Sequence, residues 1–268
     1  MAFQKNDRFV ELNTTSMSKV AFITGATSGI GAACAQLFAG QGYNLILIGR
    51  RENLLTDIAR NLEDKSKIEV KRIVADVRDH EELSYRLETL PQQWKKVDVL
   101  VNNAGLSQGL DPINKGSIED WDTMIDTNVK GLLYTTRIVS NWMIEQKSGH
   151  IVNIGSIAGK EVYPNGNVYC ATKYAVDALN KSMRIDLLPH GIKVTAINPG
   201  MVETEFSKVR FKGDEVRAKK VYDGLEPLMA NDIAEAIWFA VSRPAHVNIN
   251  DMLIMPSSQA TATIVDRK

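Results

Sequence analysis

From Lys19 onward the chain alternates short runs of β-branched and aliphatic residues with longer amphipathic stretches, and this alternation leaves little choice of architecture. Runs such as Val20–Thr24, Asn44–Ile48 and Val97–Val101 are apolar almost throughout, as strands are when helices cover both faces of a parallel sheet. Further strands are expected at Glu69–Val74, His150–Ile154, Lys193–Ile197 and Met252–Met255. Helices fit between them at Ser28–Gly40, Glu52–Asp64, Asp79–Leu90, Ile118–Gln146, Tyr169–Leu188 and Asn231–Ser242, and Pro189-His-Gly191 stops the fifth. The expectation is an α/β, doubly wound, mainly parallel seven-stranded sheet with helices on both faces. No Pro/Gly/Ser-rich linker and no internal repeat divides the chain, so residues 17–268 read as a single domain.

The charged residues narrow the class of partner. Lys+Arg and Asp+Glu number 32 each in 268 residues, so nothing electrostatic points to nucleic acid or an anionic membrane. No apolar run approaches the ~20 residues of a membrane helix. Cys34 and Cys170 lie in expected helices without metal-ligand spacing, and the four histidines form no metal motif, so no metal site is expected. Both cysteines read as packing residues in a reducing compartment, and the expected location is cytoplasmic. Residues 1–16 carry no secretory or transit signature and read as a disordered arm or an appended leader.

The first expected strand runs into Thr24-Gly-Ala-Thr-Ser-Gly-Ile-Gly31, with a helix directly behind it. Glycines there permit a tight turn and a close backbone approach to a pyrophosphate at the helix N-terminus, which makes the fold Rossmann-type. Gly25, Thr27, Ser28, Gly29, Ile30 and Gly31 are the candidate contacts. The second strand ends in Arg50-Arg51, where an acid would bind a ribose 2′-hydroxyl and an arginine a 2′-phosphate, so NADP is the expected cofactor. Asp76 and Val77 follow the third strand, and Asn102-Asn-Ala-Gly105 follows the fourth. Asp76, Val77, Asn103, Ala104 and Gly105 are therefore further candidates at strand ends, although the same residues form ordinary turns.

Tyr169 and Lys173 stand one helical turn apart, and Ser156 lies thirteen residues upstream of the tyrosine. An ammonium near a phenol favours the phenolate, the usual way to lower a tyrosine's pKa from about 10. Alone, such a pair arises by chance on many helices. The charged stretch 203–224, after Asn198-Pro-Gly200, interrupts the βα pattern where a lid over a ligand would sit. Ala175, Leu179, Met183 and Leu187 recur at four-residue spacing, which suits either a core stripe or a contact between subunits.

Taken in order and spacing, the glycine-rich turn, Asn102-Asn-Ala-Gly105, Asn128, Ser156, Tyr169-x3-Lys173 and Asn198-Pro-Gly200 resemble the short-chain dehydrogenase/reductase family from Lys19 to Pro256. The resemblance implies a dinucleotide-binding oxidoreductase with Asn128, Ser156, Tyr169 and Lys173 as catalytic tetrad. Tyr169 would exchange the proton, Ser156 would bond the reacting oxygen, Lys173 would hold the nicotinamide ribose, and Asn128 would hold a water leading to Lys173. It also adds Pro199, Gly200, Val202 and Thr204 to the cofactor contacts and implies a homo-oligomer, dimer or tetramer. The ending His246 to Gln259, Thr204-Glu-Phe-Ser-Lys-Val-Arg-Phe-Lys-Gly213 and Arg50-Arg51 look most like the NADP-dependent 3-hydroxy acid dehydrogenases that include serine 3-dehydrogenase. The implied substrates are small 3-hydroxy acids of the L-serine, L-allo-threonine and 3-hydroxyisobutyrate class. Their carboxylate needs a cation, for which Arg210 is the candidate and Lys208 and Lys212 are rivals, while Ser156 and Tyr169 meet the hydroxyl and Tyr163 to Asn167 line the pocket. A broad carbonyl reductase and a non-catalytic NADP sensor are the alternative readings.

Overall fold

The strands of the computed structural model, which describes residues 18–268, show directly why they are apolar on both faces. Val20, Phe22, Ile46, Ile48, Leu100, Ile151 and Val194 point into one core, and their neighbours Ala21, Ile23, Leu45, Leu47, Val101, Val152 and Ile197 point into the other. Successive side chains of a strand face opposite ways, so a sheet covered twice needs every position apolar. Burying a side chain such as Phe22 or Leu100 contributes about 1.5–3 kcal/mol relative to exposure. The expectation for residues 1–16 lies outside the described residues.

The strands are β1 (Val20–Thr24), β2 (Asn44–Gly49), β3 (Val70–Val74), β4 (Val99–Asn102), β5 (Gly149–Ile154), β6 (Ile192–Pro199) and, across a small two-stranded sheet of β7 (Val202–Glu203) and β8 (Leu228–Met229), β9 (Asp251–Ile254). The main sheet has the order β3-β2-β1-β4-β5-β6-β9, and every pairing in it is parallel. Helices α1 (Gly29–Gly40), α2 (Glu52–Ser66) and α9 (Ala230–Val241) cover one face; α3 (His80–Glu88), α5 (Leu132–Gln146) and α6 (Asn167–Leu187) cover the other. The order reverses between β1 and β4, which opens a crevice at their carboxyl ends, the place where such sheets bind ligands.

One local feature departs from the sequence expectation. The helix expected over Ile118–Gln146 is α4 (Ile118–Ile125) and α5 separated by a π-helical segment, Asp126–Gly131. The charged stretch after β6, an interruption of the βα pattern as expected, runs from β7 through α7 (Phe206–Arg210) and α8 (Glu215–Lys220) towards β8. Tyr222 ties it together: its hydroxyl donates to Val202 O at 2.9 Å and shares a 2.9 Å hydrogen bond with Ser207 Oγ.

The α6 stripe resolves in favour of the core. Met183 and Leu187 are buried in the sheet-facing cluster and Leu179 packs on it. The exposed face of α6 carries Ala171, Tyr174, Ala178, Ser182 and Ile185 instead. Among the described residues no helix is long and apolar enough to cross a membrane. Cys34 is buried without a partner and its thiol is pushed up to about 12 by that burial, in keeping with a packing role.

Candidate active site

The crevice begins at the turn between β1 and α1. Gly25 holds φ at +64°, a left-handed conformation that side chains strain, and α1 starts at Gly29. Ser28 makes no side-chain cap to the helix, so the first-turn amides keep their donors for another acceptor. Asn103 braces the turn from β4, donating Nδ2 to Thr24 O at 2.9 Å and Gly25 O at 3.2 Å. Gly31 does not line the crevice; it lies behind the turn, where a Cβ would strike Gly25 O and Asn103 Nδ2.

At the end of β2 the two arginines diverge. Arg51 turns to the glycine-rich turn, donating to Thr27 Oγ1 from Nε at 3.2 Å and Nη2 at 2.9 Å and to Ser28 Oγ at 2.7 Å. Arg50 leans towards Asp76, 3.7 Å away, whose carboxylate is held more tightly by Arg78 through Nε and Nη2 at 3.0 and 2.7 Å. Asp76, Val77, Ala104, Gly105, Pro199, Gly200, Val202 and Thr204 all line the same crevice, as do Ile30, Ser156, Tyr169 and Lys173. Sequence reasoning missed Thr127, Glu205, Phe206 and Val209, which line it too. Thr127 was legible only through its neighbour Asn128, yet its buried hydroxyl has no partner among the described residues.

The catalytic candidates converge from three elements. The π-helical segment presents Asn128, whose Oδ1 accepts from Leu106 N at 2.8 Å and whose Nδ2 donates to Leu106 O at 2.8 Å and Thr172 Oγ1 at 3.0 Å. Such segments recur at functional sites because the extra residue re-aims one side chain. At the end of β5, Ser156 Oγ accepts from Ala158 N at 3.0 Å, capping the short turn Ile157–Gly159. That bond uses an acceptor lone pair and leaves the hydroxyl proton to be donated. From α6, Lys173 Nζ donates to Ile154 O at 2.8 Å and lies 6.0 Å from the Tyr169 ring centre.

The electrostatics differ from the simple pairing of phenol and ammonium. Burial pushes the Tyr169 phenol above its ordinary value, and the Arg210 charge, followed by the Ser156 hydroxyl, pulls it part of the way back. Arg210, with Cζ 5.3 Å from the Tyr169 ring centre, is thus a second cation beside the phenol in addition to Lys173 at 6.0 Å. Burial brings Lys173 itself down to about 8. Both shifts have one cause, the loss of water around a charged form.

Arg210 enters from α7. Its Nε donates to Ser107 Oγ at 3.1 Å and its Nη2 to Tyr163 OH at 2.9 Å, and its Cζ lies 5.3 Å from the Tyr169 ring centre and 4.9 Å from that of Phe206. Nη1 is engaged in neither bond. The rival lysines turn elsewhere: Lys208 pairs with Glu215 and Lys212 with Asp120, both at 2.8 Å. Tyr163 packs with Leu106, Met124, Tyr169 and Cys170 in a small apolar cluster beneath the guanidinium.

The family model for the short chain dehydrogenases matches residues 19–215, the stretch that contains the turn, the π-helical segment and the Tyr169/Lys173 pair. The chain belongs to the short-chain dehydrogenase family. It is 46% identical over 244 residues to the NADP-dependent 3-hydroxy acid dehydrogenase YdfG of Salmonella typhi, covering 91% of this chain and 97% of that one. It is 44% identical over 253 residues to sulfoacetaldehyde reductase 2 of Chromohalobacter salexigens, covering 94% and 100%. Among solved structures, the closed form of a serine dehydrogenase complexed with NADP+ superposes with a TM-score of 0.86 at 43% identity, covering 93% of this chain and 99% of that one. As a short-chain dehydrogenase the protein is an oxidoreductase acting on hydroxyl donors.

Proposed function

We propose that the protein interconverts small 3-hydroxy acids and their 3-oxo counterparts with NADP as hydride carrier. The observation that carries the substrate class is Arg210: a guanidinium beside the Tyr169 ring, held by Ser107 and Tyr163, with Nη1 left to engage a carboxylate. The names of the relatives support the same class, as does the NADP+ of the serine dehydrogenase complex. The crevice suits the cofactor. Uncapped α1 amides match a pyrophosphate, Arg51 with Ser28 matches a 2′-phosphate, and the unpartnered Thr127 hydroxyl matches a polar group of the adenosine half.

When bound, NADP supplies the hydride acceptor and NADPH the donor. The side chains of the chain manage the proton and the geometry. Tyr169, protonated at neutral pH, gives its proton to the carbonyl oxygen in reduction and as phenolate removes the hydroxyl proton in oxidation. Ser156, whose Oγ accepts from Ala158 N, donates its hydroxyl proton to the same oxygen while charge gathers there. Lys173, near its titration point at about 8, holds the nicotinamide ribose and passes protons on, with Asn128 holding the water that links it to solvent. Pro199, Gly200, Val202 and Thr204 close over the cofactor, and 203–224 acts as a lid that carries Arg210 in. We further take the protein to be a cytoplasmic homo-oligomer, a dimer or tetramer.

The test is turnover followed through nicotinamide absorbance with L-serine, L-allo-threonine, 3-hydroxyisobutyrate and an uncharged secondary alcohol. Arg210→Ala should raise KM for the hydroxy acids about ten- to a hundredfold, the worth of a lost charge-assisted contact, and leave KM for the uncharged alcohol unchanged, while the loss of its charge beside Tyr169 lowers kcat for both in oxidation. A variant with unaltered KM for the acids removes Arg210 from the substrate site. A second reading, reduction of small anionic aldehydes, draws on the sulfoacetaldehyde reductase relative, since Arg210 would hold a sulfonate as well as a carboxylate. Faster turnover of such an aldehyde than of any hydroxy acid would favour it.

A further inference from the structure

Arg51, on which the 2′-phosphate reading rests, already holds an anion in this structure. Its Nη1 donates to Glu205 Oε2 at 2.8 Å, while Nε and Nη2 bond Thr27 and Nη2 also bonds Ser28. Arg51 chiefly, with Ser28 and Lys208 adding to it, holds the Glu205 carboxyl below the ordinary glutamate value in spite of partial burial. The carboxylate thus draws on Arg51, the side chain that a 2′-phosphate would use. Glu205 is also well placed to stay there. It stands between Thr204, whose methyl would lie 3.2 Å from a Cβ on Gly29 at the head of α1, and Phe206, which opens α7.

We propose that Glu205 is a cofactor-selectivity residue whose carboxylate occupies the phosphate's place on Arg51 and has to be displaced by it. The inference builds on the reading of Arg51 as the phosphate ligand. A guanidinium cannot serve a carboxylate and a phosphate together without bringing like charges into contact. The ion pair is half exposed on both sides, 44% and 50%, so it is weak enough for a phosphate of nearly two charges to win. NAD lacks that phosphate and leaves the pair intact. Glu205 therefore lowers affinity for NADP and not for NAD, which narrows the gap that Arg51 opens.

The experiment is a fluorescence titration of the full-length protein, without substrate, by NADP+ and by NAD+. Glu205→Gln should tighten NADP+ binding about three- to tenfold and shift NAD+ by less than about twofold, the range expected for removing a half-exposed competing charge. The gain should vanish in the Glu205→Gln/Arg51→Gln double variant, because the carboxylate acts through the guanidinium. Unchanged or weaker NADP+ binding in Glu205→Gln, or equal tightening of both nucleotides, overturns the proposal. Arg51→Gln distinguishes the two levels. If it weakens NADP+ alone while Glu205→Gln changes nothing, only the Glu205 inference fails; if it leaves NADP+ untouched, the phosphate-site reading fails with it.

Discussion

Tyr169 sits where two opposing demands meet. Burial raises its phenol and secures the protonated acid for carbonyl reduction, while Arg210 and Ser156 moderate the rise so that the phenolate stays within reach for oxidation. Reduction should therefore slow as pH rises through the phenol's raised value, and alcohol oxidation should quicken over the same range; pH-rate profiles in both directions check the sign. Tyr169→Phe should lower kcat by about 10²–10⁴-fold with the NADP+ dissociation constant unchanged, and full turnover in that variant would end the proton-transfer assignment. A second residue speaks to stability. His150 is buried with Nδ1 unpartnered, and because Thr195 donates its proton to Ile249 O, the imidazole must donate Nε2–H to Thr195 Oγ1 at 2.7 Å. Burial, with the Lys193 charge, brings its pKa down to about 3, so the folded protein refuses a proton that the unfolded chain accepts from about 6.5 downward. The sign follows: stability is unaffected above that value and falls by up to about 1.4 kcal/mol per unit as pH drops towards 3. Denaturant melts at several pH values should show a shallower acid slope in His150→Gln than in the parent.

Among elements, the π-helical segment accounts for the one place where the helical pattern misleads. Residues 118–146 carry helical periodicity throughout, and nothing in their apolar spacing marks the extra residue at 126–131. The cause is tertiary: Asn128 is drawn onto the backbone of Leu106 and onto Thr172, and Gly131 comes so close to β3's exit that a Cβ would lie 2.7 Å from Val77 Cγ2. Gly131→Val should therefore push Val77 into the crevice, lowering stability by about 1–3 kcal/mol and weakening cofactor binding; thermal melts and nucleotide titration report the two effects. The 203–224 segment was recognisable as an interruption because its charge density breaks the βα rhythm. Its partners were not, since Arg51 and Glu205 are 154 residues apart and Arg210 and Ser107 are 103 apart.

For the whole molecule, the α6 faces decide how copies can meet. Leu179, Met183 and Leu187 are turned to the sheet, and the outward face carries Ala171, Tyr174, Ala178, Ser182 and Ile185. If a second copy packs there, Ala178→Arg should reduce the mass seen by sedimentation while the circular dichroism stays native, and an unchanged mass would rule that face out. The sequence by itself determined the doubly wound sheet, the glycine-rich turn and the order of Asn128, Ser156, Tyr169 and Lys173, because periodicity, glycine conformation and motif spacing are local properties of the chain. Only the tertiary structure decided that Arg210 joins Lys173 beside Tyr169, which arginine faces the glycine-rich turn, that Arg51 already holds Glu205, and which side of α6 is exposed. Those outcomes depend on distances between residues far apart in sequence, and Coulomb attraction and desolvation act through space and burial, which a linear pattern does not contain.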